Sequence, residues 1–136
     1  MTPELALQKG IRLRLTATVE VVALVPDTSI LDRNERPNPS PSIIIGEGQS
    51  VDEGDSISRN LTRVYMDLHV WKTEVSTAGA KLIAGAIRDG LKIRPSLDTP
   101  FHCVDCLVQN VRFLRDPDGE TSHAVVSVSA LVEELA

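Results

Sequence analysis

The stretch that most constrains the fold is "FHCVDCLVQNVRFLRDPDGETSHAVVSVSALVEE", residues 101 to 134. On its return side Ala124, Val126, Val128, Ala130 and Val132 recur at every second position, the spacing of a strand with one buried face. On the outgoing side Val104, Cys106 and Val108 alternate, then Val111, Phe113 and Arg115 resume. The phase slips at Gln109–Asn110, which predicts a β-bulge. Between the two, "DPDG" puts proline at the second turn position and glycine where positive φ is needed, predicting a type I turn with a following bulge. A hairpin this long buries one face only if the rest of the chain supplies a second layer.

The rest of the chain offers both sheet and helix. "RVYMDLHVW" alternates strictly, with Val64, Met66, Leu68 and Val70 on one face and Tyr65, Asp67, His69 and Trp71 on the other. After it, Ala78, Gly79, Leu82, Ile83, Ala86, Ile87 and Leu91 form an apolar stripe of helical period, with Thr73 or Ser76 as cap and a close near Gly90 and Pro95. At the N-terminus Thr2, Pro3 and Glu4 supply a capping hydroxyl, a first-turn proline and an acid at the positive dipole end, predicting a helix over about 3 to 17. Ile11, Leu13, Leu15, Ala17, Val19 and Val21 also alternate like a strand, but the start signal decides for helix. The β-branched run "TVEVVALV" predicts either one continuous helix or a break and a short second turn before Pro26.

Pro37, Pro39 and Pro41 mark residues 32 to 42 as an extended arm. A short strand is expected at Ser42 to Gly46, followed by a long acidic surface loop from 47 to 62. At 136 residues this is one domain: an N-terminal helical region at 1–31, the arm at 32–42, and a sheet, loop, helix and hairpin at 43–136. The expected class is α+β, with a mostly antiparallel sheet of about four strands packed against two helices. Aromatic residues are only 3% of the chain, so the core must be aliphatic.

Nineteen acidic against 14 basic side chains leave a net charge of −5, the wrong sign for a protein that grips phosphate backbones. No run of 18 apolar residues is present, and "MTPELALQKG" lacks the regions of a signal peptide, so no membrane role and reduced cysteines are expected. "HCVDC" has C-x-x-C spacing, but no second ligand pair accompanies it. Residues three apart on an unbroken strand face opposite ways, so Cys103 and Cys106 read as ordinary strand cysteines. His69 and His123 read as solvated or subunit-contact histidines. "GEG" is too short for a dinucleotide loop, and "DPDGE" lacks the alternate ligands of a calcium loop. No catalytic constellation, metal site or cofactor is expected, and the chain reads as a non-enzyme.

The strand ending "DLHVW", the helix "AGAKLIAGAIRDGL", the hairpin "VRFLRDPDGETSHAVVSVSALVEE" and the stretch "IIIGEGQSVDEGD" together resemble the tail-completion, or tail-terminator, family of long-tailed siphovirus-type phages, prophages and gene transfer agents. The resemblance spans residues 43 to 134, and the N-terminal third matches only loosely. It implies a small α+β protein that assembles as a hexameric ring on the head-proximal end of the tail tube. There it would stop tube polymerisation and meet the head connector. The implied partners are further copies of the chain, the tail tube protein and the connector or stopper, with DNA passing through unspecifically. The implied location is the virion, after synthesis in the host cytoplasm. Asp52, Glu53, Asp55 and Arg59 in the loop, and Arg115, Asp116 and Asp118 at the hairpin tip, are the candidate contact residues. A neighbouring head-tail stopper ring and a small ligand-binding regulatory domain are the alternatives.

Overall fold

The computed structural model describes residues 1–32, 40–54 and 57–135. Helix α1 (Pro3–Thr16) and a single turn, α2 (Val19–Val22), lead through a 3₁₀ turn at Asp27–Ser29 into a short strand, β1 (Ile30–Asp32). Strands β2 (Ser42–Asp52) and β3 (Leu61–Thr73) follow, then helix α3 (Ala78–Gly90), then the hairpin β4 (Phe101–Arg115) and β5 (Thr121–Glu134). The five strands form one sheet in the order β1-β2-β3-β5-β4, parallel at β1–β2 and antiparallel elsewhere. The class is the α+β expected, with a fifth strand and a third, one-turn helix added.

The N-terminal helix forms for the reasons its sequence gives. Thr2 Oγ1 accepts from Leu5 N–H at 3.2 Å, Pro3 opens the first turn, and Ala6, Leu7, Ile11 and Leu15 turn inward. Burial rules out the strand reading, because Leu13 and Val19, which a strand would have buried beside Ile11 and Leu15, are 53% and 73% exposed. The helix breaks at Thr18, whose hydroxyl donates back to Arg14 O at 2.8 Å. The second turn then carries Val21 and Val25 into the core.

Helix α3 buries Ala80, Ile83, Ala84 and Ile87. Its stripe is rotated from the one expected: Ala78 and Leu82 face solvent. The expected caps are also revised. Ser76 Oγ accepts only from Ala78 N–H at 3.2 Å, while the Glu74 carboxylate accepts from both Gly79 and Ala80 N–H at 3.1 Å. Ser122 Oγ donates to the same carboxylate at 2.8 Å, so Glu74 pins the helix start to β5. Burial would raise the Glu74 carboxyl, but these three hydrogen bonds outweigh it and hold the group below its usual range.

One sheet face meets the helices: Ile43 and Ile45 from β2, Val64 to Val70 at alternate positions from β3, Ala124 to Val132 from β5, and Cys103 and Cys106 from β4. Two expectations fail along the strands. The segment 47–52 does not loop out but continues β2 after a register shift between Ile45 and Gly48, leaving only residues 53–60 as connection. Both cysteines face the core, because a second bulge between Cys103 and Asp105 resets the alternation. The bulge expected near Gln109 lies between Val108 and Asn110. The strand β1 was not foreseen, and of the expected arm, residues 33–39 lie outside the described residues.

The turn follows its chemistry. Gly119 N–H donates to Asp116 O at 3.0 Å, and Gly119 has φ +71° with nothing within 4 Å of where a Cβ would stand. Gly119→Ala is therefore expected to lower stability by about 1 kcal/mol from backbone strain alone, whereas Gly85→Ala, inside α3 and equally open, should raise it by about 0.5–1 kcal/mol. Denaturant unfolding of both variants checks this. Removal of the helix clamp in Glu74→Ala should cost about 1–2 kcal/mol at neutral pH. Because the folded carboxyl is held below 4.5, its contribution is full above that value and fades as the pH falls through the folded pKa. The gap between wild type and variant should close in acid.

Candidate functional site

The long strands carry polar residues to two opposite ends of the sheet and to the face away from the helices. At the end where β2 finishes and β3 begins, Arg59 Nη1 pairs with Asp52 at 3.0 Å and Arg63 Nη2 with Glu53 at 3.4 Å. Arg59 holds φ +57°, a left-handed backbone that favours glycine, so the chain is strained locally at this residue. Of the four loop candidates, Asp52, Glu53 and Arg59 come together here, and Asp55 lies outside the described residues.

The other three candidates stand at the far end, on the hairpin tip, and each has a local task. Asp118 Oδ1 accepts from Glu120 N–H at 2.7 Å and Thr121 N–H at 3.0 Å, and its Oδ2 accepts from the Thr121 hydroxyl at 3.0 Å. Asp116 Oδ1 accepts from Asp118 N–H at 3.1 Å. Arg115 Nη1 donates to Val75 O at 3.0 Å, clipping the hairpin to the segment before α3. The two groups lie at opposite ends of the strands: Asp52 is level with Thr62 on β3, and Arg115, through Ser122, with Lys72.

Between the ends, on the face without helices, lies a constellation that sequence reading missed. His69 Nδ1 is 2.8 Å from His123 Nε2, and His69 Nε2 is 3.1 Å from a Glu47 carboxylate oxygen. The His123 ring stacks on Trp71 with centroids 3.8 Å apart and planes 8° apart. With both rings neutral, a single hydrogen arrangement satisfies these contacts: His123 Nε2–H donates to His69, and His69 Nε2–H donates to Glu47. The His69 hydrogen bond holds the Glu47 carboxyl below its usual range. Ile44 and Val125, on either side of His69 in the ladder, are buried on this face. Each histidine was visible as an outward strand residue, but only the β3–β5 pairing brings them together. That pairing joins strands separated by α3 and β4.

The geometry is that of a rigid surface. The imidazoles bond each other and the carboxylate, which orients them without activating a nucleophile. Cys106 hydrogen-bonds Cys103 in the core, and that bond and burial push its thiol up, away from the reactive thiolate. Among the described residues no three His, Cys, Asp or Glu side chains gather as a metal would require. An open groove of about 350 Å³ lies between the start of α1 and the β2–β3 ladder, beside Thr2, Glu4, Gly48, Ser50 and Tyr65. Ser50 donates to Glu4 there at 2.6 Å, closing α1 onto β2 and holding the Glu4 carboxyl below its usual range.

Known proteins share this architecture. A chain in the virion of a native gene transfer agent particle superposes with a TM-score of 0.78 at 22% identity, covering 94% of this chain and 95% of that one. The bacteriophage SPP1 gp17 protein superposes with a TM-score of 0.60 at 25% identity, covering 93% of this chain and 88% of that one. Comparison with curated protein sequences finds no match. The profile of the family described as tail completion protein gp17 matches residues 9–133. With nearly its whole length matched by the family profile, and an overall fold similar to that of a phage protein and a virion chain, this chain belongs to the tail completion protein gp17 family.

Proposed function

We propose that the protein is a structural component of a phage or phage-like tail that caps the head-proximal end of the tail tube, ends its polymerisation and joins the tail to the head connector. The observation that carries this reading is the family match over residues 9–133. The fold similarity to a chain of a gene transfer agent virion supports it. In this reading the protein works as a ring of its own copies, expected to number six. It touches the tail tube protein on one side and the connector or stopper on the other, and DNA passes through without specific binding. A net charge of −5 on each copy suits that passage, because a ring with an acidic balance does not hold a polyanion. The work is mechanical and needs no cofactor.

The two ends of the sheet are the surfaces this reading uses. Asp52, Glu53 and Arg59, together with Asp55, form one contact region, and the tip carrying Arg115, Asp116 and Asp118 forms the other. The Asp52–Arg59 and Glu53–Arg63 pairs and the bonds within the hairpin tip brace the described charges at the two ends of the same strands.

The test is genetic and structural. Particles made without the protein should carry tails of irregular, extended length that do not join heads, and supplying the protein should restore uniform, joined tails. Uniform tails on joined heads in its absence would overturn the reading. Tails of uniform length that fail only to join heads would transfer the protein to the stopper position.

A further inference from the structure

We infer that copies of this chain join by strand pairing, the open edge of β4 in one copy adding to the open edge of β2 in the next. The inference rests on the ring reading above and names the contact that builds the ring.

The sheet ends in two unlike edges. β4 is the outermost strand on one side, and on the other, among the described residues, the three-residue β1 covers β2 at Ile43–Ile45. Each edge strand therefore has one covered part and one open part. Near the start of β4, Arg94 Nη1 occupies Val104 O at 3.0 Å, and both register shifts fall before Asn110. From Asn110 to Arg115 the ladder to β5 is regular, and from Gly48 to Asp52 the ladder to β3 is regular. Among the described residues no strand lies beyond either segment.

The phase of the backbone groups follows from two bonds. Asp116 N–H donates to Thr121 O, and Glu53 N–H donates to Leu61 O. In an antiparallel ladder, inward and outward groups alternate. Residues 112 and 114 of β4 therefore point their backbone at β5, while Val111, Phe113 and Arg115 point theirs outward. On β2, residues 49 and 51 point at β3, while Gly48, Ser50 and Asp52 point outward. Three residues on each edge thus offer an N–H and a C=O, and the two sets match in number and spacing.

Direction and register also agree. β2, β3, β5 and β4 alternate in direction, so β4 runs opposite to β2. Copies related by rotation about an axis, all in the same sense, would meet as an antiparallel pair. Phe113 opposite Ser50 then aligns the six open residues of β4 with the open run of β2, and β4 ends, at Arg115, where the neighbour's β1 begins to block the edge. The charges lean the same way: residues 107–115 carry Arg112 and Arg115 and no acid, while 46–53 carry Glu47, Asp52 and Glu53 and no base. Arg59 and Arg63 already pair two of those acids, so charge guides orientation while the backbone bonds and the half-exposed Phe113 and Leu114 supply the contact.

The stagger is what a closed ring requires. The open run of β2 is level with residues 62–66 of β3, and that of β4, through β5, with residues 67–72. In the Phe113–Ser50 register the two residues are level with Val70, through Ala124, and Val64 of β3, a stagger of six residues, or about 20 Å at about 3.3 Å per residue, across four strands spaced about 4.8 Å, or about 19 Å. Their ratio tilts the strands about 45° from the ring axis whatever the number of copies, at the upper end of the roughly 35–45° of closed barrels. A head-to-tail contact of this kind adds copies in one direction around an axis, and forms a ring where the rotation closes, instead of pairing two copies face to face.

The test uses residues 49 and 114, which in this register face each other without backbone bonds, with Cα atoms about 4.5 Å apart, inside the range a disulfide spans. Cys103 and Cys106 are buried and stay out of the reaction. Oxidised Q49C/L114C should give a ladder of covalent dimers, trimers and higher species, and neither single variant should. Phe113→Pro, which removes an outward N–H and the half-exposed ring while leaving the β4–β5 hydrogen bonds in place, should keep the circular dichroism of the wild type and lose the oligomer by light scattering. A wild-type oligomer with no ladder, or an intact oligomer in Phe113→Pro, overturns the strand-pairing inference and leaves the ring reading standing. Wild-type protein that stays monomeric alone and with tail tube protein overturns the ring reading, and the inference with it.

Discussion

The pairing of β3 with β5 is the constraint on which the rest of the molecule depends. It runs without a shift from Leu61–Glu133 to Thr73–Thr121 and lies at the centre of the sheet. Strands this long and regular force one face inward at every second residue, and the helices have only one face on which to pack. The same register sets His69 beside His123 and Trp71, brings Ser122 to the carboxylate that clamps α3, and carries charged groups to opposite ends of the strands. A slip of one residue would bury the polar side and expose Val64 to Val70.

What was legible in the sequence was what short-range chemistry decides. Thr2, Pro3 and Glu4 announced α1, "DPDG" announced its turn, and strict alternation announced β3 and β5. The features that escaped depend on partners distant in the chain. Glu47 to Asp52 read as loop because glycine, serine and acids disfavour strand, yet β3 supplies a ready ladder and tertiary pairing overrides propensity. β1 is three residues long and exists only through its parallel contact with β2. Cys103 and Cys106 were assigned to opposite faces by a rule that holds for an unbroken strand, and the bulge after Cys103 breaks it.

The candidate contact residues were legible as charged and turn-forming, but their local tasks were not. Asp116 and Asp118 serve the turn, and Arg115 ties it to Val75 O, so their charges are part of the hairpin's stiffness. Stiffness is itself useful in an assembly part. A tip already held by its own bonds loses little conformational freedom when a partner docks, so more of each contact's free energy is available to binding.

An open strand edge is a hazard in a protein made in quantity, because any other edge can add to it. This molecule blunts its edges unevenly. β1 covers one part of β2, Arg94 occupies a carbonyl near the start of β4, and two bulges distort β4 before Asn110. The parts that no strand pairs among the described residues are five and six residues long, lie at diagonal corners of the sheet, and carry opposite charges. Diagonal placement disfavours indiscriminate stacking: two flat sheets joined without stagger would align each open run with a blocked or bulged one. A staggered, tilted neighbour would satisfy both, so in the proposed strand pairing the pattern of protection selects one geometry of self-association from the many that bare edges permit.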